Sequence, residues 1–208
     1  RLQGDWSSVV CSSDLVQYYL DRIERHNKTL NAILHVNPNA LAQARKLDEA
    51  FTATDKLSGP LHCVPMAVKD AIDTAEMPTT GGSRAPFANL HPPRDAPVVA
   101  RLRTAGAIIL AKSNLGEFGR GSTGMSTLGG QVRNAYDTTR IPGGSSGGSG
   151  VAVAANLVLA ALAEETGVSI RNPAANSNIV AIAPTQGLVS RSGVIPISFT
   201  QDRVGPYA

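Results

Sequence analysis

Cysteine and long apolar runs are both scarce in this 208-residue chain. The only cysteines are Cys11 and Cys63, and two distant cysteines cannot form a disulfide framework or a structural zinc site. We therefore expect a reduced, cytoplasmic setting with no metal or other cofactor. The longest apolar run, 151–163, is interrupted by Asn156 and is shorter than the roughly 20 residues that cross a bilayer. We predict no membrane span and no signal peptide.

Aromatic residues are also rare, at 4% of the chain. The core must therefore be built mainly from Ala, Val, Ile and Leu. The net charge is +3, and the 19 basic and 16 acidic residues are interspersed. Because no basic stripe is present, we expect no nucleic-acid partner.

Residues 1–15 differ from the rest of the sequence. They contain the only Trp and show neither helical nor strand periodicity. They resemble a translated sequencing adaptor, so we expect the native chain to begin near Val16. The alternative is a native terminus without regular structure.

Apolar periodicity beyond residue 15 predicts alternating helices and strands. Residues 16, 19, 20 and 23 have the i, i+3, i+4, i+7 spacing of an amphipathic helix. Further helices are predicted around 40–51, 97–104 and 151–156. Short apolar runs predict strands at 63–70, 107–112, 157–163 and 179–185. The alternation indicates an α/β layered fold.

The stretch "PGGSSGGSG" at 142–150 allows three interpretations. A flexible linker would have polar flanks, yet an apolar helix and strand follow directly. A phosphate-binding loop would need lysine where Ser149 stands. A nucleophile elbow, G-x-S-x-G, fits around Ser145, but this motif needs a later histidine as its base, and all four histidines lie upstream.

Lysine is the next candidate for a base. Lys69 ends the apolar run 63–70, and burial there would lower its pKa. At an ordinary pKa near 10.4, fewer than about one lysine in a thousand is neutral at pH 7. A pKa lower by about three units would make Lys69 a usable base. A solvated strand-end lysine is the alternative.

Five segments together resemble the amidase signature family. They are "GPLHCVPMAVKDAIDTAEMPTTGGS", "AKSNLGEF", "PGGSSGGSGVAVAAN", "EETGVSIRNPA" and "PTQGLVSRSGVIP". The resemblance covers nearly everything after residue 16, as the N-terminal portion of one domain. It implies a mixed sheet with helices on both faces, and the chain stops before such domains normally end.

The resemblance also implies a Ser-Ser-Lys triad for cleaving amides. By position, Ser169 matches the nucleophile, Lys69 the base, and Ser145 the bridging serine that passes the proton between them. Relatives have a cis peptide bond before the bridging serine, here between Gly144 and Ser145. The oxyanion would be bound by the backbone N–H groups of residues Thr166, Gly167, Val168 and Ser169.

Further positions have implied roles outside the triad. Glu165 and Arg171 would form an ion pair that braces the oxyanion turn, with two solvated charges as the alternative. A loop that lines the acyl pocket in relatives corresponds to Gly121, Ser122 and Thr123. The sequence departs from the family pattern at Val168, where glycine is usual, and at 163–164, where Ala-Glu replaces Gly-Thr.

Within this resemblance the stand-alone amidase is the expected function, and it is the first of three that we consider. A stand-alone amidase would act on a small-molecule or peptide amide, and the chain could form a homodimer. The second alternative is the glutaminase component of a tRNA-dependent amidotransferase, which typically has glutamine where Asn172 stands. The third is a noncatalytic protein that retains the fold.

Overall fold

The computed structural model describes residues 12–85 and 90–208. The helices are α1 (Ser12–Leu30), α2 (Ala40–Thr54), α3 (Pro97–Thr104), α4 (Gly147–Ala154) and α5 (Arg171–Ser177), with a 3-10 turn at Glu117–Gly119. The strands are β1 (Ile33–Val36), β2 (Pro65–Lys69), β3 (Ile108–Ser113), β4 (Met125–Ser126), β5 (Gly130–Gln131), β6 (Ala160–Glu165) and β7 (Arg203–Tyr207).

Five strands form one mixed sheet, in the order β1-β3-β2-β6-β7. The three central strands are parallel, whereas β1 and β7 are antiparallel to their neighbours. The remaining pair, β4 and β5, forms a separate two-stranded sheet. The carboxyl ends of β2, β3 and β6 therefore meet at one edge of the sheet, and the loops that follow them are brought together there.

Helices cover both faces of the sheet. On β2, Ala67 packs in a core cluster with residues of α1, α2, α4 and α5. Its neighbours Met66 and Val68 point the other way and pack in a second cluster with α3. This alternation follows from the two-residue period of a strand. The predicted mixed α/β fold with helices on both faces is confirmed.

The predicted amphipathic helix is present as α1, because Val16, Tyr19 and Ile23 are buried on one face. It begins at Ser12, four residues before Val16, so the end of the segment expected to be non-native is helical. Residues 1–11 of that segment lie outside the described residues. The predicted strands at 63–70 and 107–112 are β2 and β3, and the predicted helix at 97–104 is α3.

The predicted strand at 157–163 is displaced toward the C-terminus. The helix predicted at 151–156 starts earlier, at Gly147, and Asn156 adopts a left-handed conformation with φ 53°. The Leu157 N–H then donates to Ala152 O at 2.8 Å, which ends the helix. Strand β6 begins only at Ala160 and ends at Glu165, two residues beyond the predicted end at 163.

The predicted strand at 179–185 is wrong. This segment runs beside β7, but only Ala181 forms a bridge, to Tyr207. The Ile182 N–H donates to Pro206 O at 3.2 Å, and Pro206 has no N–H to donate in return. A regular hydrogen-bond ladder is therefore interrupted at this edge.

Candidate active site

Lys69 is the last residue of β2, a strand buried along its whole length. Its side chain is 0% exposed. Lys69 Nζ donates to Ser145 Oγ at 2.7 Å, to Glu164 Oε2 at 2.8 Å and to the Glu164 carbonyl at 3.1 Å. The amine is thus surrounded by oxygen atoms from two other parts of the chain.

Burial lowers the pKa of Lys69, and the neighbouring Glu164 carboxylate opposes this effect. The direction is the one expected for a strand-end lysine in an apolar setting. Lys69 is therefore not the solvated cap that the sequence left open as an alternative.

The glycine-serine stretch is part of the core. Every residue from 142 to 150 is buried, so the flexible-linker interpretation is wrong. The peptide bond between Gly144 and Ser145 is cis, as the family resemblance implied. The Gly144 N–H donates to Asn172 Oδ1 at 3.1 Å, which ties the segment before Ser145 to helix α5.

Gly143 shows why glycine is needed beside this contact. Its φ is +81°, and a Cβ there would lie 2.4 Å from Asn172 Oδ1 and 2.6 Å from Asn176 Nδ2. Side chains are disfavoured both by this backbone conformation and by the close approach of α5. The glycines therefore permit a tight, buried path to Ser145.

Ser169 lies in the turn between β6 and α5, and its side chain is half-buried. Its carbonyl accepts a hydrogen bond from Tyr207 Oη at 3.2 Å, and the Ile170 carbonyl accepts one from the same hydroxyl at 2.7 Å. Burial raises the pKa of Tyr207. The Ser169 hydroxyl has no hydrogen-bond partner among the described residues, so the structure brings Lys69 and Ser145 into contact and leaves Ser169 outside that hydrogen-bonded group.

The turn predicted to bind an oxyanion carries unengaged backbone donors. In the part of the chain that the structure describes, no acceptor is bound by the N–H groups of Gly167, Val168 or Ser169. Gly167 and Val168 are exposed. Thr166 anchors the start of the turn, because its hydroxyl donates to Asp202 Oδ1 at 2.6 Å.

The expected ion pair between Glu165 and Arg171 is present. Arg171 Nη2 lies 3.0 Å from Glu165 Oε1. Glu165 is fully buried, and its other oxygen accepts the backbone N–H groups of Ile170 at 3.0 Å and Arg171 at 3.2 Å. Since these residues open helix α5, the carboxylate holds the turn that contains Ser169 against the sheet.

The loop predicted to bind substrate lies beside the cis peptide. Gly121, Ser122 and Thr123 are all exposed. A Cβ on Gly144 would lie 2.9 Å from Gly121 O and 3.0 Å from the Ser122 carbonyl carbon. The loop backbone therefore packs directly against the residue that precedes Ser145.

The contact between Glu164 and Lys69 is one that the sequence did not reveal. In the sequence, Glu164 stands out only as a departure from the family pattern. Both residues lie at the carboxyl ends of neighbouring parallel strands, since Val68 pairs with Leu162. The predicted strand at 157–163 ends one residue too early to place Glu164 at that edge.

Neither a metal-binding cluster nor a membrane-spanning helix is found among the described residues. Within residues 12–85 and 90–208, no group of three or more His, Cys, Asp and Glu side chains could hold a metal ion. Over the same described ranges, no helix is both long and apolar enough to span a membrane.

The sequence matches the family described as Amidase over residues 14–208. The chain belongs to the amidase family. The glutamyl-tRNA(Gln) amidotransferase A subunit of Azoarcus sp. is 45% identical over 199 residues, which cover 95% of this chain and 40% of that protein. The corresponding protein of Acidothermus cellulolyticus is 44% identical, with 96% of this chain and 39% of that protein covered.

Solved structures of the amidase family share this fold. The peptide amidase of Stenotrophomonas maltophilia superposes with a TM-score of 0.90 at 45% identity, covering 96% of this chain and 42% of that one. The glutamyl-tRNA(Gln) amidotransferase A subunit of Thermotoga maritima gives a TM-score of 0.81 at 36% identity, covering 94% and 40%. This chain therefore spans about two fifths of the length of these relatives.

Proposed function

We propose that the protein hydrolyses a carboxamide through an acyl-enzyme on Ser169, with Lys69 as base and Ser145 as the bridging serine. The observation that carries this proposal is the 2.7 Å contact between Lys69 Nζ and Ser145 Oγ in a fully buried setting. A buried lysine joined to a buried serine is an arrangement that can move a proton without bulk water.

In the proposed reaction, neutral Lys69 accepts the Ser145 proton while Ser145 accepts the Ser169 proton. Ser169 Oγ forms a bond to the amide carbonyl carbon. The same path then returns a proton to the amine as the C–N bond breaks, and water hydrolyses the resulting ester. This relay requires a Ser169–Ser145 hydrogen bond in the working enzyme, and catalytic hydrogen bonds often tighten only when substrate is bound.

The tetrahedral intermediate places a negative charge on the former carbonyl oxygen. We assign its stabilisation to the backbone N–H groups of the turn from Thr166 to Ser169, in which those of Gly167, Val168 and Ser169 bind no acceptor in the described chain. Preorganised donors of this kind are worth about 10² to 10³ in rate each. The adjacent exposed loop containing Gly121 and Ser122 would contact the acyl side of the substrate.

A fluorophosphonate probe followed by mass spectrometry tests the nucleophile. We expect the label on Ser169, its complete loss in Ser169→Ala, and strongly reduced labelling in Ser145→Ala. Ser192→Ala changes an exposed serine remote in sequence and serves as the control with unchanged labelling. A label on Ser145 would support the nucleophile elbow instead, and an unlabelled protein would support a noncatalytic role.

The second candidate function is that of a glutaminase within an amidotransferase. It is favoured by 45% identity to a protein described as the A subunit of glutamyl-tRNA(Gln) amidotransferase. Similar identity to a peptide amidase and the presence of Asn172 favour the stand-alone enzyme. Release of ammonia from a peptide carboxamide by the isolated protein supports the first function, whereas glutamine hydrolysis that depends on tRNA and partner proteins supports the second.

A further inference from the structure

A buried carboxylate touches the amine of the proposed base. Glu164 Oε2 lies 2.8 Å from Lys69 Nζ, and the two side chains are 1% and 0% exposed. The proposed relay has no step for this carboxylate. A negative charge at this distance favours the ammonium form of lysine, which cannot accept a proton.

The number of acceptors around the amine also favours the ammonium form of Lys69. Lys69 Nζ has three oxygen partners, two of them from Glu164 and one from Ser145. An ammonium has three N–H donors, so it satisfies all three partners at once. The neutral amine has two donors, so it satisfies the same group only when the Ser145 hydroxyl donates to it.

The other acidic groups near Lys69 have partners of their own. Glu165 on β6 pairs with Arg171. Asp202, in the loop before β7, accepts the backbone N–H groups of Ile197 at 2.9 Å and Ser198 at 3.0 Å. The negative charges of Asp202 and Glu165 also raise the pKa of Lys69, but less than the charge of Glu164 does.

One more charged pair lies near this edge, between strand β3 and the residue that follows β2. Lys112 on β3 is buried and lies 3.2 Å from Asp70 Oδ1. Lys112 also donates to Thr79 Oγ1 at 2.8 Å. Ser113, which pairs with Lys69 across the sheet, is uncharged. Glu164 is therefore the carboxylate in contact with the proposed base, whereas Asp70 forms an ion pair with Lys112.

We propose that Glu164 is a positioning residue whose carboxylate holds the Lys69 amine against Ser145. Its negative charge also stabilises the ammonium form, so that Lys69 loses its proton at a higher pH than it would without Glu164. This inference rests on the proposed function. As a consequence, activity begins at a higher pH than it would if no carboxylate lay beside Lys69. Removing the charge would extend activity toward lower pH.

The first test measures protonation without turnover. The chain has only five lysines, so lysine labelled with ¹³C at Cε allows each amine to be titrated by NMR. In Glu164→Gln we expect the Lys69 midpoint to fall by about one to three pH units, with the Lys112 midpoint unchanged. Asp70→Asn is the matched control, because it removes a buried carboxylate from Lys112 and should shift only that midpoint.

The second test follows the rate of fluorophosphonate labelling of Ser169 against pH. The rising limb of the profile should move to lower pH in Glu164→Gln by the same amount as the NMR midpoint. At a fixed pH on that limb, the labelling rate should rise about tenfold for each pH unit by which the limb moves. Asp70→Asn should leave the position of the limb unchanged. A purely structural role for Glu164 would change the amount of labelled protein but not this position.

The outcomes separate the inference from the proposed function. An unchanged Lys69 midpoint in Glu164→Gln, with Ser169 still labelled, overturns the inference alone. Absence of Ser169 labelling at every pH in every variant overturns the proposed function and the inference with it. Glu164→Asp keeps the charge but moves it away from Lys69 by one methylene. We therefore expect its Lys69 midpoint to fall by less than that of Glu164→Gln. This variant provides the test if Glu164→Gln does not fold.

Discussion

Gly148→Ala is the change that most directly tests whether the glycine-serine stretch is core. A Cβ at this position would lie 2.2 Å from Asn114 O, 2.5 Å from Ala32 O and 2.6 Å from Asn114 N. All three atoms are backbone, so no side-chain rotation can relieve the contact. Helix α4 would have to move by about 1 Å to restore ordinary van der Waals distances.

The expected cost of this substitution has two parts. Overpacking a close-packed interior costs about 1–3 kcal/mol. The shift would also weaken the hydrogen bond from the Gly148 N–H to Asn114 O, which is 3.0 Å long, for about 1 kcal/mol more. We therefore expect the free energy of unfolding to fall by about 3 kcal/mol, or about 6–12 °C in Tm for a chain of this length.

Urea denaturation followed by circular dichroism measures this change. Gly167→Ala is the matched control, since a Cβ at Gly167 meets no atom within 4 Å and its φ is not in the left-handed region. Its unfolding free energy should stay within about 0.5 kcal/mol of the unmodified chain. Equal stability of the Gly148→Ala and Gly167→Ala variants would refute the close packing of this stretch.

Two further predictions concern the residues around the proposed base and nucleophile. Lys69→Met alone should destabilise the fold by about 3–5 kcal/mol because it leaves the Glu164 carboxylate buried without its cation, whereas Lys69→Met combined with Glu164→Met should recover most of this loss. Urea denaturation of both single variants and the double variant checks this, and additive losses would contradict the ion pair. Tyr207→Phe removes hydrogen bonds to the carbonyls of Ser169 and Ile170, so we expect a loss of about 1 kcal/mol and slower Ser169 labelling; unchanged values of both would argue against a role for this hydroxyl.

The parts of the fold that the sequence predicted are those with strong local periodicity. Helix α1 has its apolar residues at helical spacing, and β2 and β3 are short apolar runs bounded by turn residues. Strand β7 was missed because Gly205 and Pro206 lie inside it, and both residues are unusual in strands. It is nevertheless a strand because it is the edge partner of β6.

The sequence predicted only part of the candidate site, because its contacts join residues that are far apart in the chain. Lys69 and Ser145 could be paired from sequence only through the family resemblance, since no local pattern joins two residues so far apart. The Glu164 contact depends on where β6 ends, and strand ends are the least certain part of a sequence-based prediction. A charged residue at the end of a buried parallel strand is the signal that could have identified it.

The distance along the chain between contacting groups also bears on how the site forms. Lys69 and Ser145 are separated by 76 positions, and Lys69 and Glu164 by 95. Such contacts form only after a large loop has closed, and the entropy lost in closing the loop is not compensated until the contact is made. Contacts of this kind therefore slow folding. The ion pair and the serine contact would thus be acquired late during refolding, after the local helices, so they would follow the pairing of β2 and β6 and not the recovery of helix content.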